Sequence, residues 1–128
     1  MDRDVARSYQ DLIVWQRGID LVEAVYSATS GFPQSERYGL ASQMQRAAIS
    51  IPSNVAEGQG RGNGKEFIRF LTIAKGSLRE LETQTVIAKR LHFIDDSAYQ
   101  QVTSLTDEVA RLLHGLIRRV QANLERSN

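Results

Sequence analysis

The chain has 128 residues, 41% hydrophobic and 24% charged, the balance of one ordinary globular domain long enough to bury a core without staples. It has no cysteine, which excludes disulfides and thiolate metal sites and agrees with a reducing compartment. Sixteen basic and fifteen acidic residues leave a formal net charge of +1, so affinity for nucleic acid requires an uneven placement of charge.

Residues 1–10, MDRDVARSYQ, read as a polar tail without a signal-peptide run. No uncharged apolar stretch approaches the ~20 residues that span a bilayer. A cytoplasmic protein with no membrane contact is expected. From residue 11 to 125 apolar residues recur at helical spacing, alternating strand patterns are absent, and the only prolines are Pro33 and Pro52. The expected fold is all-α, a single antiparallel up-down-up-down four-helix bundle over 11–125.

The first helix is predicted from about Asp11, its N-cap, to Ser30. Leu12, Trp15, Ile19, Val22 and Tyr26 form its apolar stripe, with Trp15 as a core anchor. Gly31, Phe32 and Pro33 end it. The second helix is predicted to start near Ser35 or Glu36, with Leu40, Met44, Ala47, Ala48 and Ile51 facing the core. Pro52 cannot donate to the Ala48 carbonyl and its ring crowds that group, which predicts a kink near residues 48–52.

Gly58, Gly60, Gly62 and Gly64 then alternate with polar residues. The string GQGRGNGK fails as a Walker loop: the position five before Gly64 is Gln59, and Glu66 follows Lys65. The dinucleotide pattern fails as well, since Asn63 and Lys65 stand where its third glycine is needed. Gly58 to Gly64 therefore reads as a flexible turn, with Asn63 capping the next helix.

The third helix is predicted from about Asn63 to Leu91, with Phe67, Phe70, Leu71, Ala74, Leu78, Leu81 and Thr85 on one face. Ile73 and Ile87 fall off that face, which is compatible with oligomerisation and equally with ordinary scattered surface apolar residues. Lys65, Arg69, Lys75 and Arg79 share an outward arc, joined by Arg61 if the helix begins early. That arc is either a solvated face or an electrostatic footprint for phosphate backbone. Against the footprint stands the absence of exposed-looking aromatic residues for base stacking. After a turn near His92–Ile94, the fourth helix is predicted from about Asp95 to Glu125. Asp95 and Asp96 are cap candidates, and Val102, Leu105, Val109, Leu112, Leu113, Leu116 and Val120 form the stripe.

No catalytic constellation emerges, and no cofactor is called for. His92 and His114 have no matched partner, and the residues three before them are Lys89 and Arg111, so the Glu-x-x-His pair of di-iron bundles is missing. A non-enzymatic protein is expected. The competing class is a small-molecule-binding or enzymatic bundle with a site between helices.

Four segments carry a resemblance to a known family: YQDLIVWQRGIDLV at Tyr9–Val22, RAAISIPSNVAEGQGR at Arg46–Arg61, KEFIRFLTIAKGSLRELETQ at Lys65–Gln84 and LLHGLIRRV at Leu112–Val120. The chain resembles the 23S rRNA intervening-sequence proteins over about residues 8–122. The resemblance implies a bacterial, antiparallel four-helix bundle that assembles as a homopentamer and has no enzymatic activity. The family is also similar to the accessory protein of diversity-generating retroelements, a basic pentameric barrel that binds a reverse transcriptase and nucleic acid. The partners so implied are further copies of the chain, RNA or DNA, and a nucleic-acid enzyme such as a reverse transcriptase. Arg61, Lys65 and Arg69 match the family's basic turn and helix start. Gly62, Asn63 and Gly64 depart from it, because relatives often carry further basic residues there.

Overall fold

The computed structural model describes residues 8–127. Their regular structure is helical: α1 (Ile13–Thr29), α2 (Leu40–Gly60), α3 (Gly64–Arg90) and α4 (Asp96–Ser127), with 3-10 turns at Tyr9–Asp11 and Gln34–Glu36. Each helix packs on its chain neighbours, and α1 also packs on α4, which closes a four-helix ring. Gly18 and Thr29 of α1 meet Pro52 and Gln45 of α2. Ser50 and Gly58 of α2 meet Ser77 and Phe70 of α3. Arg17 of α1 meets Glu108 of α4, and Phe32 just beyond α1 meets Phe93 just before α4. Along each of these pairs, residue numbers rise on one helix as they fall on the other. Among the described residues, no helix is long and apolar enough to cross a membrane.

The core lies where the four stripes meet: Leu21, Val25, Met44, Ile51, Val55, Leu71, Leu78, Leu81, Val102, Val109 and Leu113 are fully buried. In α3 the buried set Leu71, Ala74, Leu78, Leu81, Thr85 and Ala88 alternates steps of three and four, as a helix packed lengthwise in a bundle requires. The stripe predicted for α1 reaches the core only in part: Leu12, Trp15 and Val22 are half-buried against it. Val14, Gly18, Leu21, Val25 and Ala28 face the core, centred roughly 120° around the helix from the predicted stripe. Ile19 and Tyr26 are 36% and 45% exposed, and Trp15 is only half-buried, its ring edge-on to Tyr9 at 5.3 Å. The small residues decided this choice: a β-carbon on Gly18 would lie 3.3 Å from the Pro52 ring, so close helix approach turns that side inward.

The ends of the helices also differ from expectation. Asp11 belongs to the first 3-10 turn, and the N-cap of α1 is Leu12, which makes no side-chain cap bond. Residues 1–7 of the predicted tail lie outside the described residues. The second helix begins at Leu40 rather than near Ser35 or Glu36, because Gly39 (φ −108°, ψ −115°) interrupts the helical path. Glu36 Oε1 instead accepts from the Leu40 N–H at 3.2 Å, satisfying one free donor of that helix end.

The largest revision concerns the glycine segment. α2 runs through Pro52 and on to Gly60, so Gly58 and Gly60 are helical and only residues 61–63 form the turn. Gly58 is required by packing: a β-carbon there would lie 2.7 Å from Phe70 Cβ and 3.2 Å from the Phe67 carbonyl oxygen. Packing of that closeness outweighs the ~1 kcal/mol that glycine costs inside a helix. Gly62 adopts φ 81°, the left-handed region that favours glycine.

At the other end of α3, His92 adopts φ 63°. The Phe93 N–H donates to the Ala88 carbonyl at 2.9 Å and the His92 N–H to that of Lys89 at 3.1 Å. This is the Schellman pattern, with histidine where glycine is usual. Asp95 caps α4 as expected, its Oδ1 accepting from the Ala98 N–H at 2.8 Å.

Candidate nucleic-acid interface

The expected basic arc begins where α2 hands over to α3. Asn63 Oδ1 accepts from the Glu66 N–H at 2.9 Å and starts the helix. One turn on, Glu66 binds Arg69 through two contacts, 3.1 Å to Nε and 3.3 Å to Nη2. This hydrogen bond holds the Glu66 carboxyl below its ordinary value and the Arg69 guanidinium above its own. Arg61 pairs with Glu57 at 3.1 Å. The guanidiniums of Arg61 and Arg69 both lie over the Phe70 ring, 5.0 and 4.5 Å from its centroid, which anchors them further. Arg79 is held by Glu82 at 2.8 Å.

Of the five predicted residues, Arg61, Arg69 and Arg79 are therefore each paired with a glutamate three or four residues away in the chain. Lys65 and Lys75 are exposed, and neither is in an ion pair among the described residues. Exposed pairs of this kind contribute little to stability, but they cancel most of the field that the cations would otherwise project.

A second cationic surface escaped the sequence reading. Arg111, His114, Arg118 and Arg119 are all exposed on α4. None of the three arginines is in an ion pair among the described residues. On the helical wheel, His114 and Arg118 lie about 60° and 20° to one side of Arg111, and Arg119 about 80° to the other. The core residues Val102, Val109 and Leu113 point the opposite way. The signal in the sequence is an absence: between Val109 and Leu124 there is no carboxylate, whereas Glu66, Glu80 and Glu82 interrupt the cations of α3. Asp107 and Glu125 flank the α4 stretch, and Glu108 is turned to Arg17 at 3.0 Å.

Two surface clefts bear on the competing small-molecule reading. One, of about 560 Å³, lies between the end of α1 and the start of α2 and is lined by Thr29, Phe32, Arg37, Tyr38 and Gln45 among others. The second, of about 480 Å³, lies between the start of α3 and the end of α4, beside Lys65, Ile68, Gln121 and Leu124. The first has no lining carboxylate, and the second has Glu125 without a histidine or a second acid. Neither brings together an acid–base pair. No cluster of three His, Asp or Glu residues fit to hold a metal occurs among the described residues.

The family model for the 23S rRNA-intervening sequence protein matches residues 10–115. The chain belongs to this family. The match takes in α1, α2, α3 and more than half of α4, so it rests on the whole bundle. Among solved structures, the 23S rRNA-intervening sequence chain is similar to a protein of unknown function from the S23 ribosomal protein family of Bacteroides thetaiotaomicron VPI-5482, with a TM-score of 0.76 at 20% identity. That likeness covers 83% of this chain and 96% of the other; at such low identity it speaks to the fold alone. Comparison with curated protein sequences gives no match.

Proposed function

We propose that this 23S rRNA-intervening sequence protein is a non-catalytic, cytoplasmic oligomer, a homopentamer, that binds RNA or DNA or scaffolds a nucleic-acid enzyme such as a reverse transcriptase. The observation that carries the reading is the division of the surface, with a cluster of unpaired arginines on α4 and exposed apolar residues on α1 and α3. Two separate apolar patches support self-association. On α1, the half-exposed stripe of Trp15, Ile19, Val22 and Tyr26 is extended by exposed Ile49 of α2. Ile49 shares the i, i+4, i+7 row with Gln45 and Pro52, both of which contact α1. On α3, Ile73 and Ile87, 41% and 42% exposed, continue toward Leu91. Two unlike patches per protomer are what a closed ring of head-to-tail contacts requires, whereas a two-fold dimer needs one self-complementary patch.

Light scattering on the full chain tests assembly: a pentamer is expected, and a clean monomer at micromolar concentration contradicts the oligomer. A mobility-shift assay at low salt tests direct binding. Retention of labelled RNA or DNA that declines steeply with added salt is expected. No retention at low salt rules out direct binding and leaves the scaffold role.

A further inference from the structure

Of the five cations on which the sequence places the interface, only Lys65 and Lys75 are exposed and outside an ion pair among the described residues. Arg61, Arg69 and Arg79 are each held by a glutamate, and two of them lie on Phe70. Arg111, Arg118 and Arg119 have no such partner among the described residues. Arg111 and Arg118 stand seven residues apart, about 10.5 Å along the helix axis and on nearly one line. His114 lies between them. Gly115 lies amid the three arginines, where an added β-carbon would meet nothing within 4 Å. A glycine at this point in a helix costs about 1 kcal/mol against alanine and here answers no packing need. It leaves the helix backbone open to close approach by a ligand.

We infer that the outer face of α4, with Arg111, Arg118 and Arg119 as its contacts, is a docking surface for the phosphate backbone of a double-stranded nucleic acid. This rests on the nucleic-acid reading above and gives it a group of unpaired guanidiniums, where α3 offers the two separate lysines Lys65 and Lys75. The choice of a duplex follows from what the face lacks. Among the described residues the exposed large aromatic side chains are Tyr26 and Tyr38, on α1 and on the connection to α2, so the α4 face carries no exposed tyrosine, phenylalanine or tryptophan for the base stacking that holds single strands. Unpaired guanidiniums in a row suit the regularly spaced phosphates of a duplex and read no sequence. Asp107 and Glu125 at the two ends of the stretch limit the surface to the length between them.

The test compares the full-length protein with two triple variants in fluorescence anisotropy. The probes are RNA and DNA duplexes of arbitrary sequence and a pyrimidine single strand of equal length. Arg111→Gln/Arg118→Gln/Arg119→Gln is expected to weaken duplex binding at least 100-fold at low salt. It should also reduce the slope of log affinity against log salt by about 2 to 3, near 0.9 for each lost phosphate contact. Changing the same residues to lysine should restore binding, because backbone contact requires charge more than guanidinium shape. Arg61→Gln/Arg69→Gln/Arg79→Gln, with folding checked by its helical circular dichroism signal, should alter the slope little.

If the α3 variant loses binding and the α4 variant keeps it, the site assignment is wrong while the nucleic-acid reading stands. If the wild type binds neither duplex nor single strand, both fall. Preference for the single strand overturns the duplex assignment. Displacement of the duplex by polyglutamate at equal charge concentration overturns it too, and reassigns the face to an acidic protein.

Discussion

The α1–α2 side of the molecule and the outer face of α4 differ in kind. The first exposes Ile19, Tyr26 and Ile49; the second exposes Arg111, His114, Arg118 and Arg119 with no carboxylate between Val109 and Leu124. Both are carried by helices whose other sides are fully committed to the same core. An amphipathic helix in a bundle uses only part of its circumference for folding, so the remainder is open to serve partners. Apolar surface on one flank suits a second protein, and unpaired charge on the other suits a polyanion. The two faces should therefore be separable by mutation.

The largest effect expected is on assembly. Ile19→Asp/Tyr26→Asp and, separately, Ile73→Asp/Ile87→Asp should each convert the oligomer to monomer in light scattering. Each should leave thermal unfolding of the monomer nearly unchanged, because exposed helix positions tolerate such changes. Mixing the two variants sharpens the point: a one-to-one heterodimer should form through the one intact pair of patches. If the mixture stays monomeric, the head-to-tail arrangement is wrong.

Smaller changes act on the frame that carries both faces. Gly58→Ala should lower stability by about 2 kcal/mol, the scale of an overpacked core, since its methyl group would collide with Phe70. An unchanged denaturant midpoint would show that α2 and α3 can part there without cost. His92→Gly should act in the other direction, raising stability by up to about 1 kcal/mol by relieving a left-handed residue that carries a side chain. For a domain of this size that is a rise in Tm of about 4 °C.

The smallest effect is on pH dependence. Arg69 holds the Glu66 carboxyl below its ordinary value through a hydrogen bond. A carboxyl depressed in the folded state stabilises above its unfolded value, and that contribution is lost as pH falls through the folded value. Unfolding midpoints should therefore decline slightly more below the ordinary glutamate range in the wild type than in Glu66→Gln. Between neutral and mildly alkaline pH the two should run parallel.

Much of the frame was legible in the sequence. The cores of α3 and α4, the Asn63 and Asp95 caps and the exposure of Ile73 and Ile87 all follow from spacing. The failures share a physical cause. The predicted α1 stripe covers only the edge of the core face, because two apolar rows compete on that helix and the close approach of Gly18 to Pro52, a contact between elements, turns the other row inward. The helical state of Gly58 depends on Phe67 and Phe70 in the same way. Local propensity is overridden where tertiary packing is close. The basic arc is exposed as its spacing predicts, but a helical wheel locates cations and not their partners. Glu57, Glu66 and Glu82 lie three or four residues from the arginines they neutralise. The carboxylate-free stretch of α4 was visible in the letters, and it would have been found by searching for missing acids rather than for clustered bases.

The salt dependence of duplex binding by the unmodified protein decides whether the α4 face contacts phosphate backbone. Affinity measured across a salt series should fall linearly on logarithmic axes, with a slope steeper than about −2.7, the release expected from three phosphate contacts on B-form DNA. A flat dependence, or no binding at the lowest salt, would contradict the account.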